Sequence, residues 1–193
     1  MKSLNILFAG VGGQGILFTS KIFFEAALAR GQKVLGGETH GMSQRGGSVV
    51  AHFKMGESHS ALVVPGTADV LLALEPVEGM RNMAFVRPGG IYLVNAPDLA
   101  HMSSAVRAYL ERNDVRVFWF DADGRALEQK KPLTANLYLI GFLSGLADAP
   151  FSADELRGVI TKVTKKKTFL KDNLDAFEVG RQAAVKGRQV AEA

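Results

Sequence analysis

Leu4-Asn5-Ile6-Leu7-Phe8-Ala9-Gly10-Val11-Gly12-Gly13-Gln14-Gly15-Ile16 is the stretch on which the reading of this 193-residue chain turns. Leu4–Ala9 is a short apolar run ending in glycines, the pattern of a central strand. Ile16–Arg30 follows with apolar residues at Ile16, Phe23 and Ala27, and Gly31 stops it as a helix is stopped. Between them Gly10–Gly15 matches G-x-G-x-x-G at a strand-to-helix junction, as a dinucleotide fingerprint requires. The first glycine allows the tight turn, the second allows backbone approach to a phosphate, and the third lets helix and strand pack closely. Helix-terminal N–H groups then hold an anion. Glu38 stands 23 residues beyond Gly15, the place of a ribose-binding carboxylate. On spacing alone two readings stay open. Gly10, Gly12, Gly13, Gln14 and Gly15 form a phosphate or nucleotide site, or the glycines serve only the turn and Glu38 is a solvated or paired loop residue.

Outward from this stretch, strand-like and helix-like segments alternate, which predicts a mostly parallel sheet covered by helices. Lys33–Leu35 reads as a brief second strand, and from Gly36 to Ser48 all periodicity breaks. Val49–Lys54 alternates as a half-exposed strand, with Gly56–Ser60 as a turn and Ala61–Val64 pairing back as a hairpin. Asp69–Glu75 is a buried strand opening into Pro76 and a helix to about Val86. Arg87–Gly90 is a turn before the strand Ile91–Asn95. Asp98 can cap a helix to about Arg112, and Val115–Phe120 is a further strand. Residues 121–131 read as a short helix, and Leu133–Leu146 as an apolar helix broken at Gly141 and Gly145. Ser152-Ala153-Asp154-Glu155 is a capping box, and Thr168–Gly187 an amphipathic stretch. The expected fold class is α/β: a Rossmann-like, mostly parallel sheet with helices on both faces. Residues 1–193 make one domain, with 151–193 a helical C-terminal extension packed on it.

Composition closes off several functions. Cysteine is absent, so no disulfide, thiolate zinc site, thiolate-held cluster or cysteine nucleophile belongs to this chain. The net charge of +4 is small, and three of the four charges fall after residue 150. No basic stripe for nucleic acid runs through the body. The longest uncharged stretch, Ser3–Ser20, holds four glycines with Asn5 and Gln14, which suits a strand and turn better than a bilayer helix. Lys2 precedes an apolar run that leads into glycines without a small-residue cleavage pattern, so a cytoplasmic location is expected.

The second glycine-rich segment runs through Glu38, His40, Gly41, Met42, Ser43, Gln44, Arg45, Gly46 and Gly47. It concentrates an imidazole, a guanidinium, an amide and hydroxyls in a stretch with five glycines in residues 36–48. Such groups bind anionic or carbonyl-bearing ligands or form a polar protein contact. Gly46 and Gly47 let main-chain N–H groups face an anion or a partner backbone. A solvated loop is the plain alternative, but a loop needs no such density of glycines merely to cross between strands.

GVGGQGI followed by ETHGMSQRGGSVVAHFKMG strongly resembles the gamma subunit or domain of 2-oxoacid:ferredoxin oxidoreductases. The second segment is most similar to the beta subunit of indolepyruvate:ferredoxin oxidoreductases. The resemblance runs from Leu4 to about Gly180 and includes Asn136 in TANLYLIG. It implies an accessory subunit of a complex of the EC 1.2.7 type, inactive alone. Such complexes convert a 2-oxoacid and coenzyme A to acyl-CoA, carbon dioxide and reduced ferredoxin. The 2-oxoacid would be indolepyruvate or another, such as pyruvate. Thiamine diphosphate, Mg2+ and [4Fe-4S] clusters would lie on thiamine-binding partner subunits, consistent with the missing cysteine and the missing thiamine-binding Gly-Asp-Gly segment. It also implies coenzyme A phosphate at Gly10–Gly15, an interface or active-site role for the Glu38–Gly47 segment, no catalytic residue or firmly bound cofactor of its own, and no nucleic-acid or membrane partner. Self-association of the isolated chain stays open. A stand-alone Rossmann-type nucleotide-binding enzyme is the alternative.

Of the other chemistry-bearing residues, His40 reads as a hydrogen-bonded interface histidine, with a proton carrier near neutral pH as the alternative. His52 and His59 straddle the expected hairpin without a further ligand at metal spacing. Lys165–Lys167 reads as a solvated turn between helices, with contact to coenzyme A phosphates or an acidic ferredoxin as the alternative. Phe118, Trp119 and Phe120 read as core strand residues.

Overall fold

The computed structural model describes residues 3–41 and 46–185. Strand β1 (Leu4–Val11) lies inside the sheet, and Ile6, Leu7, Phe8 and Ala9 are fully buried because both of its faces are covered. Its neighbours are β3 (Ser48–Met55), antiparallel, and β4 (Ala68–Ala73), parallel. Beyond β4 lie β5 (Val86–Asn95) and β6 (Arg116–Phe120), both parallel, and β2 (Val34–His40) forms the opposite edge. The order is β2-β3-β1-β4-β5-β6, with β3 alone reversed. The expected α/β, mostly parallel sheet is therefore observed.

Helices cover both faces. Helix α1 (Ile16–Ala29) follows β1 and packs with α5 (Ala135–Ser144), α6 (Ala153–Val163) and α7 (Lys167–Val185) over Ile6, Phe8 and Phe53. The opposite face, carrying Leu7, Ala9 and Tyr92, receives α2 (Pro76–Asn82) and α3 (Ser104–Arg112) with Leu99 and Met102. Helix α4 (Ala122–Glu128) follows β6 and is capped by Asp121. The helical connection after β1 thus lies on one face and those after β4 and β5 on the other. That reversal puts a topological switch point between β1 and β4, where ligands bind outside the carboxyl ends of strands.

Several sequence expectations are corrected. The second strand is not a three-residue piece. It continues through Gly36, Gly37 and Glu38 to His40, because α1 presses Phe24 onto Gly36, where a Cβ would overlap the ring. Ala61–Val64 does not pair with β3, since β1 and β2 already fill both of its edges. The strand before Asn95 starts at Val86, with the ladder slipping between Ala68 and Val70 and Gly89 at φ +69. Ser103, not Asp98, caps α3, while Asp98 accepts only from Ala100. Gly141 does not break α5. It and Gly180 let α5 and α7 cross so closely that a Cβ on either would overlap the other helix's backbone. The Ser152–Glu155 capping box forms as expected.

Among the described residues, no helix is long and apolar enough to cross a membrane, and no cluster of three or more His, Asp or Glu is arranged for a metal ion.

Candidate functional site

The two glycine-rich segments, 21 residues apart from Gly15 to Gly36 in sequence, meet at one end of the sheet. The cause is the β1–β3 ladder, whose register ends at Val11 opposite Ser48. Past that pair the chains stay joined: Gly12 N–H donates to the Gly47 carbonyl at 2.9 Å, and Gly46 N–H to the Gly12 carbonyl at 3.3 Å. Gly41 N–H donates to the Ser48 carbonyl at 2.9 Å, closing the base of the β2–β3 connection. Met42, Ser43, Gln44 and Arg45, predicted to line this loop, lie outside the described residues.

The turn is held by its own side chains. Gln14 accepts from Val11 N–H through Oε1 at 2.9 Å and donates through Nε2 to the Leu74 carbonyl at 3.2 Å, tying β1 to β4. Gly10 lies within the ladder, and a Cβ there would stand 2.7 Å from the Gln14 amide. Gly13 and Gly15 take φ of +107 and +82, which glycine adopts without the penalty other residues meet. Gly15 caps α1, and a Cβ on it would stand 2.9 Å from Asn136. Asn136 is buried, donating to Thr19 Oγ1 at 3.2 Å and the Gly15 carbonyl at 3.5 Å. Among the described residues, Gly13 and Gly15 are left as the N–H donors of the turn without a protein acceptor.

Two openings flank this turn. A crevice of about 260 Å³ is lined by Gly13, Gln14, Gly15, Leu74, Asn95 and Asp123 among others, at the carboxyl ends of β1, β4 and β5. A wider cleft of about 750 Å³ lies between the turn, Leu17, Phe18, His40 and Gly41. The Asp123 carboxylate disfavours an anion in the first, whereas the second presents an imidazole and no carboxylate among its lining residues.

Glu38 and His40 share one side of the edge strand β2, with His40 Nε2 3.2 Å from Glu38 Oε2 and both side chains exposed. Because β3 separates β2 from β1, Glu38 lies two strand spacings, roughly 10 Å, from the glycine turn's strand. In a dinucleotide site the acidic residue closes the strand next to β1. The structure does not bring Glu38 and Gly10–Gly15 together in that way.

Residues the sequence reading passed over complete the edge. Glu78 is buried at the start of α2, accepting from Ser48 Oγ at 2.7 Å and pairing with Arg81. Asn95 donates to the Leu74 carbonyl at 3.1 Å and accepts from the N–H groups of Ala122 and Asp123. An asparagine ending the apolar run Ile91–Val94 was the available signal for it. His52 is buried in β3, accepting from Val63 N–H at 3.1 Å, and burial pushes its imidazole below the ordinary range. His59 is exposed, and Trp119 packs partly buried against the core on the second face.

The sequence profile of pyruvate ferredoxin/flavodoxin oxidoreductases matches residues 5–183. A curated relative, indolepyruvate oxidoreductase subunit IorB of Thermococcus kodakarensis, is 38% identical over 95% of this chain and 97% of its own. The gamma subunit of a keto/oxoacid ferredoxin oxidoreductase from Geobacter sulfurreducens has a similar fold, with a TM-score of 0.73 at 23% identity over 95% of this chain and 99% of that one. The 2-oxoglutarate:ferredoxin oxidoreductase of Magnetococcus marinus superposes with a TM-score of 0.78 at 22% identity, over 98% of this chain and 32% of that much longer one. At these identities the two structures speak for the fold.

Proposed function

The chain belongs to the pyruvate ferredoxin/flavodoxin oxidoreductase family, and we propose that it works as the accessory, gamma-type subunit of a 2-oxoacid:ferredoxin oxidoreductase. The complex would take a 2-oxoacid and coenzyme A to acyl-CoA and carbon dioxide while reducing ferredoxin. Indolepyruvate or another aryl-pyruvate is the proposed 2-oxoacid, supported by the near full-length match to a subunit of that name. Thiamine diphosphate, its Mg2+ and the clusters are assigned to partner subunits, because thiolate ligation needs cysteine and this sequence has none. Residues 1–193 are proposed to act as one domain in the cytoplasm, inactive alone.

The observation that carries a binding rather than a catalytic role is the joining of the two glycine-rich segments at one sheet edge. There the amides of Gln14, Asn95 and Asn136 are spent inside the protein. Among the described residues, what remains turned outward is backbone, the Asp123 carboxylate, the Glu38–His40 pair and the apolar side chains of the wide cleft. We assign Glu38, His40, Gly41, Gly46 and Gly47, with Met42–Arg45 by sequence, to the contact with the thiamine-binding subunit. The N–H groups of Gly13 and Gly15, at the start of α1, suit a coenzyme A phosphate on the His40 side of the turn. Gly10, Gly12 and Gln14 are proposed to complete that site by shaping the turn, the Gly12 N–H and the Gln14 amide being engaged within the protein.

Co-expression with the thiamine-binding partner should yield a stable complex that reduces ferredoxin or a viologen dye. Full activity of the partner without this chain would refute the assignment. Calorimetry tests the stand-alone alternative: tight NAD binding abolished by Gly12→Trp would support a nucleotide enzyme. The two-strand separation of Glu38 and the Gly12–Gly47 bond argue against it.

A further inference from the structure

On the α1 side of the sheet, a groove of about 560 Å³ opens between α1, the segment leading into α5, and the α6–α7 turn. Its walls are apolar: Phe18, Leu133, Leu137 and Phe169 line it. Leu133 is 77% exposed and Phe169 46% exposed, an unusual outlay of large apolar surface at one place. Its rim is cationic. Lys21, Lys130, Lys165 and Lys166 come from three separate segments and, among the described residues, none has a carboxylate within ion-pair distance. The fifth rim lysine, Lys131, is held at 2.6 Å by Asp172, the one carboxylate of the lining. Glu25, the nearest acid along α1, is engaged by Lys162 at 2.9 Å. Lys166 Nζ lies 5.7 Å from the centre of the Phe169 ring, so one rim cation faces an aromatic wall.

We propose that this groove is a binding site for an amphipathic organic anion, an aromatic body bearing a carboxylate. The volume falls within the roughly 300–1,000 Å³ of small-molecule sites. The aromatic and leucine walls supply the energy of burial, and the uncompensated lysines select an anionic end and leave a neutral analogue unpaired. The proposal is independent of the subunit assignment; the groove adjoins the crevice at the Gly13–Gly15 turn, with which it shares Phe18, Pro132 and Leu133, and its lysines lie outside that crevice.

The test is calorimetry on the full chain with 1-naphthaleneacetate, its neutral amide 1-naphthaleneacetamide, and acetate. The naphthaleneacetate should bind saturably at one site, at least about tenfold tighter than either control, and weaken as salt is raised. Leu133→Asp should lose about tenfold in affinity, as should Lys165→Glu combined with Lys166→Glu, each with a melting temperature near that of the parent. If the lysine variant melts low, Lys21→Glu on α1 tests the same charge. Equal binding of the amide, undiminished binding by the variants, or no saturable heat overturns the proposal. So does saturation by an alternating Leu/Glu peptide in place of the naphthaleneacetate, which would make the groove a protein-docking surface.

Discussion

Gln14, Asn95 and Asn136 each connect chain segments that are distant in sequence through a side-chain amide, Gln14 and Asn95 by donating and accepting and Asn136 by donating twice. In the linear sequence Gln14 is the variable position of a fingerprint, yet its side chain bridges β1 to β4. Asn136 joins α5 to the first turn of α1, and no local pattern announces that, because the partner Thr19 is 117 residues away. Asn136→Ala should leave the buried Thr19 hydroxyl without this partner and cost about 1–3 kcal/mol. At this chain length that is a fall of roughly 3–10 °C in melting temperature, measurable by calorimetry. Glu155 gives a pH prediction. The Arg30 guanidinium, bonded to both of its oxygens at 2.6 and 2.7 Å, holds its carboxyl at about 2, below the unfolded value of 4.5. A depressed folded pKa means the stabilisation is complete above the unfolded value and is lost as pH falls from about 4.5 toward 2. Melting temperatures across that window should fall less for Glu155→Gln than for the parent. An identical acid slope would remove this ion pair from the account.

At the level of elements, glycine has two meanings that the sequence does not separate, and both occur here. Gly36 and Gly37 looked like the end of a strand, and Gly141 like the break of a helix. In the structure Gly36 yields to the Phe24 ring and Gly141 to the backbone of α7, so the glycine marks a close approach. A glycine without a side chain is equally compatible with a turn and with tight packing, and only the neighbouring element distinguishes them. Gly180→Leu places a side chain against the Tyr138 carbonyl of α5. Overpacking of this kind typically costs about 1–3 kcal/mol, and with backbone as the obstacle the upper end is expected. Thermal melting of this variant beside Gly158→Leu, on α6, where a Cβ meets nothing within 4 Å, separates packing from helix propensity. Comparable losses in both would show that the α5–α7 crossing is not what Gly180 serves. The Ser152–Glu155 cap is legible because it acts within three residues of itself, whereas Ser103 rather than Asp98 caps α3, a choice among nearby loop residues.

For the whole molecule, the edge that carries both glycine motifs also exposes Leu17, 47% accessible, within the wide cleft. If that edge receives the thiamine-binding subunit, Leu17→Asp should reduce co-purification with it by about tenfold or more while leaving the isolated chain's melting temperature unchanged. A melting loss with intact assembly would return Leu17 to the fold. The sequence by itself determined the alternation of strands and helices, the zero cysteine count that excludes thiolate-held clusters, and two motifs specific enough to identify the family. These are local periodicities and residue identities, which a linear chain displays without folding. Only the tertiary structure decided that β3 enters between β2 and β1. Strand order depends on which edges find partners, and period-two alternation is the same in any order. That insertion carries Glu38 away from the glycine turn, joins Gly12 to Gly46 and Gly47, and turns an apparent dinucleotide fingerprint into one side of a shared edge.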